Sequence, residues 1–282
     1  MNLPKPLAAA IAILGIAIAC AVPVMAASTA PVPHGTVTLL AEHASLSPQQ
    51  QTWFGLHFVL EPGWHTYWLN PGDAGSTPKL TWKLPAGFQA GPISWATPER
   101  LPVSKLMDYG YEKDVTLLVP IRGSATAQPA ASAEVSVQVS VIVCKDLCIP
   151  GKAQVSLMLP VRAAAAAPSG ENAAVFASAR NRLPKALPAG WTVRVADGKG
   201  EFVLTAETGK QPARAFFFPQ DLSQIDNPAP QPVEAMPKGF RMRLKKSDEL
   251  LKPAARLRGV LQLDGTGYLV DAPVTGAGGA GR

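Results

Sequence analysis

The most regular pattern in the chain is a strict alternation over Glu134–Val143, E-V-S-V-Q-V-S-V-I-V, which places Val135, Val137, Val139, Val141 and Val143 on one face. Successive side chains of a strand point to opposite sides, so this segment predicts a half-buried β-strand. Ala153, Val155, Leu157 and Leu159 alternate in the same way. The run C-K-D-L-C-I-P-G-K joins the two segments and puts Cys144 and Cys148 at the tip of a hairpin. Earlier strands are predicted at Thr36–Glu42, Thr52–Leu60 and Val115–Ile121, with proline- and glycine-bearing turns between them. Many short strands divided by turn signals predict an all-β sandwich.

The pattern lapses at Ala163–Asn172, A-A-A-A-A-P-S-G-E-N, which has the composition of a linker, and Ala173–Arg182 is compatible with a short helix. A second strand series follows at Trp191–Val195, Phe202–Ala206, Arg214–Phe218, Phe240–Leu244, Arg258–Leu263 and Tyr268–Val270, with D-G-K-G and D-G-T-G turns that suit hairpins. The expected organisation is therefore a first β domain over 27–162, a linker over 163–173, a second and smaller β-sandwich-like domain over 174–275, and a glycine-rich tail over 276–282.

Composition narrows this further. Of 282 residues, 47% are hydrophobic and only 16% charged, which is enough apolar material for packed cores. The 28 prolines favour strands and turns over long helices, because proline breaks helix interiors. The net charge of +6 suits acidic partners or a membrane surface reached by electrostatic steering. Arg241, Arg243 and Lys245 alternate with Met242 and Leu244, so they read as the solvated face of a strand and not as a nucleic-acid stripe. Nothing has the form of a phosphate-binding glycine loop or a serine–histidine–acid nucleophile, and no cofactor or small-molecule substrate is expected.

The N-terminus reads as an address. Lys5, the uncharged run Leu7–Val22 and Val24-Met25-Ala26 have the layout of a cleavable secretory signal over 1–26. The run is short for a membrane span, which needs about 20 residues. Lipidation at Cys20 is the competing expectation, although the A-I-A before it is a poor lipobox. Removing the signal removes Cys20 and leaves Cys144 and Cys148 as a pair in an oxidising compartment.

What the pair does is open on spacing alone. A bridge across C-x3-C closes a very small ring, worth roughly 2 kcal/mol in the chain-entropy model. A structural disulfide gains more by tying distant strands, so the small ring favours redox exchange without excluding a structural hairpin bridge or a metal pair. Lys145 favours a thiolate and Asp146 opposes it, and neither cysteine sits at a helix N-terminus, where thiol pKa values are depressed. A soft copper(I) site on the two thiolates is chemically reasonable. His34, His43, His57 and His65 lack close-packed ligand spacing. Trp53, Trp64, Tyr67 and Trp68 read as core or inter-sheet packing in preference to a binding platform.

Several ordered motifs carry a resemblance. They are G-L-H-F-V-L-E-P-G-W-H-T-Y-W-L-N-P-G-D-A-G-S-T-P (Gly55–Pro78), W-x-L-P-x-G-F (Trp82–Phe88), P-x-R-L (Pro98–Leu101), Y-G-Y (Tyr109–Tyr111) and C-K-D-L-C-I-P (Cys144–Pro150). Together they resemble the periplasmic N-terminal domain of the DsbD thiol:disulfide interchange family, the ScsB (suppressor of copper sensitivity) branch most of all. Gly190–Trp191, Phe216–Pro219, Ala229–Pro232, Gly259–Leu261 and Tyr268–Pro273 resemble the second β domain of that branch.

The resemblance implies an immunoglobulin-like β-sandwich N-terminal domain. It also implies a protein-disulfide reductase or interchange component of the periplasm that takes reducing equivalents from a membrane reductase and passes them to thioredoxin-fold periplasmic oxidoreductases. By position, Cys148 matches the cysteine that engages the partner and Cys144 its resolving mate. Met107, Asp108, Tyr109, Gly110 and Tyr111 match a cap loop over the disulfide, with Asp108 standing ahead of Tyr-Gly where the family often has phenylalanine. Full-length members continue into a multi-helix membrane segment and a thioredoxin-like domain, so the expectation here is a stand-alone module with its reductase acting in trans. The alternative is a non-catalytic periplasmic binding module with a structural hairpin disulfide and a role in copper tolerance.

Overall fold

A computed structural model describes residues 27–164, 167–168 and 170–276. The expected signal peptide and residues 277–282 of the expected tail lie outside the described residues. The first half of the chain forms β1 (Thr29–Val32), β2 (Gly35–Ala41), β3 (Thr52–Leu60), β4 (His65–Gly72), β5 (Lys79–Lys83), β6 (Phe88–Ala90), β7 (Glu99–Val103), β8 (Leu106–Glu112), β9 (Asp114–Gly123), β10 (Ala130–Cys144) and β11 (Cys148–Val161). After the helix α1 (Ala173–Asn181) come β12 (Thr192–Asp197), β13 (Glu201–Glu207), β14 (Ala215–Pro219), β15 (Val233–Met236), β16 (Gly239–Lys245), β17 (Arg256–Leu263) and β18 (Thr266–Gly276).

The N-terminal strands pack as two sheets, one ordered β1-β2-β3-β9-β6 and the other β11-β10-β4-β8-β7, with β5 paired to the middle of β10. The architecture is an immunoglobulin-like β-sandwich. Its core follows from the alternation: Val135, Val137, Val139, Val141 and Val143 of β10 are all buried, and they share a cluster with Leu39, Phe54, Leu56, Phe58 and Leu117 of the facing sheet. The outer face of that facing sheet is covered by α1, whose Phe176 packs with Leu118. Gly55 lies beneath this contact, where a Cβ would meet the Thr116 methyl at 2.8 Å while only touching the Phe176 ring at 3.5 Å.

The C-terminal strands form one curled sheet, β14-β17-β18-β12-β13-β16-β15. The long β18 pairs antiparallel with β17 over its first part and parallel with β12 at Val274–Gly276, so the sheet folds back on itself. Phe202, Leu204, Phe240, Met242 and Leu244 from one half then meet Phe217, Leu257, Leu261, Val270 and Ala272 from the other. Arg243 of β16 pairs with Glu201 and Glu234, and Lys245 with Asp226, as expected of a solvated strand face.

The two units share apolar contacts. Phe218 and Val260 of the C-terminal unit are buried in the N-terminal core cluster, and the Phe218 ring meets Tyr109 edge-on at 5.1 Å and Trp68 at 6.3 Å between centroids.

Candidate redox site at the β10–β11 hairpin tip

Antiparallel pairing runs without interruption along the hairpin from Ala133 opposite Leu159 to Cys144 opposite Cys148, which are joined in a disulfide with Cα atoms 4.2 Å apart. The two cysteines have unlike surroundings. Cys144 is 1% exposed, whereas Cys148 lies open to solvent beside Leu147, which is 59% exposed. Cys144 is the last residue of a central strand and is sandwiched between Cys148 and β4, where it pairs with His65. Cys148 is on the outer edge.

Period two then decides what surrounds the buried sulfur. β4 and β8 are in register with His65 opposite Glu112 and Tyr67 opposite Gly110, and after an irregularity Gly72 opposes Asp108. His65, Tyr67 and Asp108 therefore share the sheet face on which Cys144 stands, while Trp68, Tyr109 and Tyr111 point the other way, into the core. Gly110 is required at the pairing with Tyr67, because a Cβ would lie 2.0 Å from the Thr66 carbonyl oxygen. All four residues on the Cys144 face are buried: His65 at 3%, Tyr67 at 0%, Asp108 at 1% and Cys144 at 1% exposure.

The Tyr67 hydroxyl is the hub. Its oxygen lies 2.7 Å from Cys144 Sγ, 3.5 Å from Cys148 Sγ and 3.2 Å from Asp108 Oδ2. A hydroxyl carries one hydrogen, so it can serve either the carboxylate or a sulfur at a given moment. Asp108 Oδ2 also stands 3.4 Å from His65 Nε2, and its Oδ1 accepts from the Ala74 N–H at 3.1 Å. Burial, reinforced by the negative charge of Asp108, raises the Tyr67 pKa well above its ordinary value. Tyr67 thus keeps its proton and remains a donor throughout the range in which thiols ionise.

The site is roofed by the segment after β4. Gly75 lies flat on the Tyr67 ring, where a Cβ would come within 2.0 Å of Cζ. On the solvent side, Lys145 lies across Gly63, with Cε 3.1 Å from where a Cβ would be. A groove of about 440 Å³ lined by Ser76, Thr77, Ile142 and Pro150 runs beside the hairpin tip.

The structure thus brings together Cys144, Cys148 and Asp108 from the residues singled out in the sequence. Met107–Tyr111, the residues that match the family's cap loop, lie within strand β8. Within it Tyr111 donates to the Ala96 carbonyl at 2.8 Å and Tyr109 packs on Phe218, so neither ring reaches the sulfurs. Tyr67 and His65 are the residues that sequence reasoning missed. Tyr67 is indeed packed in the interior, as expected of that aromatic cluster, but its hydroxyl end belongs to the site. The H-x-Y spacing one residue beyond a glycine turn was the available signal, and it became interpretable only with the β4–β10 pairing.

With this geometry in place, comparison with known proteins is informative. Residues 36–160 match the family model described as thiol:disulfide interchange protein DsbD, N-terminal. This segment, 125 of the 282 residues, is thus a domain of the DsbD N-terminal type. The crystal structure of the N-terminal periplasmic domain of ScsB from Proteus mirabilis superposes with a TM-score of 0.66 at 17% identity, covering 88% of this chain and 99% of that one. At that identity the likeness concerns the fold, and it extends through both β units. The periplasmic chaperone SfaE aligns over 85% of this chain and 99% of its own at 10% identity, with a TM-score of 0.26. No curated protein matches the sequence significantly. Among the described residues no helix is long and apolar enough to cross a membrane, and no group of three or more histidine, cysteine or acidic side chains could hold a metal.

Proposed function

We propose that this protein is a periplasmic thiol–disulfide exchange protein that relays reducing equivalents from a membrane reductase to thioredoxin-fold oxidoreductases through Cys148 and Cys144. In this reading residues 27–162 are the redox unit and 174–275 a second unit. The observation that carries it is the asymmetry of the disulfide, one sulfur exposed at the hairpin edge and the other buried against a tyrosine hydroxyl. The layout of residues 1–26 supports export, and the ScsB domain that shares the fold is periplasmic.

The chemistry follows from that asymmetry. A partner thiolate attacks Cys148 Sγ, the exposed atom. A new disulfide forms to the partner, the Cys144–Cys148 bond breaks, and its electron pair passes to Cys144 Sγ. Tyr67 O–H turns from Asp108 to this sulfur and stabilises the developing thiolate, and such charge-assisted hydrogen bonds are about twice as strong as neutral ones. The second thiol of the partner then attacks the mixed disulfide and leaves Cys148 reduced, completing a two-electron, two-proton transfer. Reduced Cys148 attacks the disulfide of the next protein, and Cys144 resolves that intermediate by re-forming the bond to Cys148. Exchange rate depends on which sulfur is reached and on how well the other leaves, and both are set here by burial. The exposed Leu147 and the neighbouring groove supply an apolar margin for the partner. Within Met107–Tyr111 we assign the site role to Asp108.

The test is a Cys144→Ser chain, which should accumulate a mixed disulfide through Cys148 with a thioredoxin-fold oxidoreductase or membrane reductase. Failure to trap either, together with a reduction potential below about −300 mV for the wild-type pair, would mark a structural bridge in a binding module.

A further inference from the structure

Segment 70–75, between the irregular end of β4 and the roof of the site, is tied to the C-terminal unit at both ends. Asn70, 1% exposed, donates through Nδ2 to the carbonyls of Pro219 at 2.8 Å and Asp221 at 3.3 Å, while its Oδ1 accepts from the Gly72 N–H at 3.0 Å. Asp73 is engaged at both oxygens: Oδ2 accepts from the Met107 N–H at 2.8 Å, and Oδ1 accepts from Asn227 Nδ2 at 2.8 Å. Asn227 is 8% exposed and stands 154 residues further along the chain. Between these ties, Ala74 donates to Asp108 and Gly75 bears on the Tyr67 ring. A continuous set of contacts therefore runs from Asn227 through Asp73, Ala74 and Gly75 to Tyr67, and from its hydroxyl to Cys144 Sγ.

We propose that the C-terminal unit positions the redox site: through Asn227 and Asn70 it holds segment 70–75 against Tyr67, and so fixes the hydroxyl that stabilises the departing Cys144 thiolate. The inference rests on the exchange chemistry proposed above. Asn227 and Asn70 are positioning residues, since neither touches a sulfur. Holding the units together is a separate task, carried elsewhere on their interface by Phe218 against Tyr109 and by the Arg100 guanidinium 4.1 Å above the Phe216 ring.

The sign of the effect is fixed by exposure. Cys148, the sulfur attacked, is already open to solvent, so loosening segment 70–75 gives an incoming thiolate no new access. It frees the Tyr67 ring and weakens the hydrogen bond to the leaving sulfur. The result is slower opening.

The experiment uses the full mature chain in its oxidised form and dithiothreitol as the attacking thiol. Asn227→Asp sets a second carboxylate against Asp73 and should slow opening about tenfold, the scale of one lost charge-assisted hydrogen bond. In the reduced chain, the pH profile for alkylation of Cys144 should move upward in the same variant. The double variant Asp73→Asn/Asn227→Asp exchanges amide and carboxylate, leaves an oxygen for the Met107 N–H, and should restore both readouts to within about twofold, as a double-mutant cycle requires of a direct pair. Arg100→Ala, which loosens the interface away from the segment, should leave both within about twofold on the same reasoning. Asn227→Ala supplies a milder test with about a threefold slowing should Asn227→Asp fold poorly. An unchanged rate in Asn227→Asp, an equal loss in Arg100→Ala, or no recovery in the double variant would overturn the proposal. Dithiothreitol needs no protein partner, so failure of Cys144→Ser to trap an oxidoreductase would count against the relay alone.

Discussion

Neighbouring residues of one strand have opposite fates in this protein. Asp108 and Tyr109 are adjacent in β8 and almost equally buried, yet Asp108 faces a polar pocket that ends at Cys144 and Tyr109 faces an apolar contact with Phe218. On the first side the polar groups gather around the sulfur: Tyr67 reaches Asp108 and Cys144, Asp108 takes the Ala74 N–H, and His65 Nε2, without a hydrogen bond of its own among the described residues, stands 3.4 Å from Asp108 Oδ2. On the second side the Tyr109 hydroxyl is buried with no hydrogen-bond partner among the described residues. Burial alone therefore does not mark a functional face. Here the difference is whether the buried polar atoms converge on a group that changes charge, as a sulfur does when its disulfide opens.

The comparison can be broken most severely from the apolar side. Phe218 fills the joint between the units, touching Tyr109, Trp68 and Phe216. Phe218→Ala should lower unfolding stability by about 3–5 kcal/mol, the range for deleting a fully buried ring. Urea unfolding followed by tryptophan fluorescence measures it, and a loss below about 1 kcal/mol would mean that the joint is loosely packed in solution.

A smaller loss is expected on the polar side. Tyr67→Phe keeps the ring under Gly75 but leaves the Asp108 carboxylate without the Tyr67 O–H, which should lower stability by about 1–3 kcal/mol. The same variant should slow opening of the disulfide by dithiothreitol about tenfold, because the Cys144 thiolate loses its donor. Full activity in Tyr67→Phe would separate the hydroxyl from the chemistry and leave it a purely structural group.

The sequence announced one side of this comparison and concealed the other. The valine alternation of β10 survives because one face of the hairpin is buried and the other is wet, so the strand, its partner and the cysteine tip could all be placed in advance. β4 and β8 are buried on both faces, from His65 to Trp68 and from Met107 to Tyr111, and a strand with no wet face has no alternation to read. Tyr67 was consequently legible as an interior aromatic but not as a neighbour of sulfur. Asp108 was located through the resemblance, whose cap motif covers it, although the motif said nothing about which of its side chains turn toward the cysteines. That choice depends on the Tyr67–Gly110 register. The contribution of Asn227 was beyond reach for a different reason: its contact with Asp73 spans 154 residues and involves two ordinary polar side chains with no motif.

The smallest effect sharpens the comparison furthest. Tyr109→Phe removes a buried hydroxyl that has no partner and keeps the ring on Phe218, so at neutral pH stability should stay within about 0.5 kcal/mol or rise. Alkaline pH should then reveal it. Burial raises the pKa of Tyr67, Tyr109 and Tyr111 above the ordinary tyrosine value of 10.0, so in the folded chain all three hold their protons where the unfolded chain has released them. The unfolded state binds fewer protons than the native state above pH 10, and stability must fall as pH rises through that range. Each such tyrosine contributes up to about 1.4 kcal/mol of loss per pH unit there. Tyr109→Phe should remove one of the three contributions, and the slope of unfolding free energy between about pH 10 and 11, where the unfolded tyrosine is only partly ionised, should flatten by about 1 kcal/mol per pH unit. An unchanged slope would mean that the Tyr109 hydroxyl is hydrated in solution, and the apolar side of β8 would then be wetter than its packing on Phe218 requires.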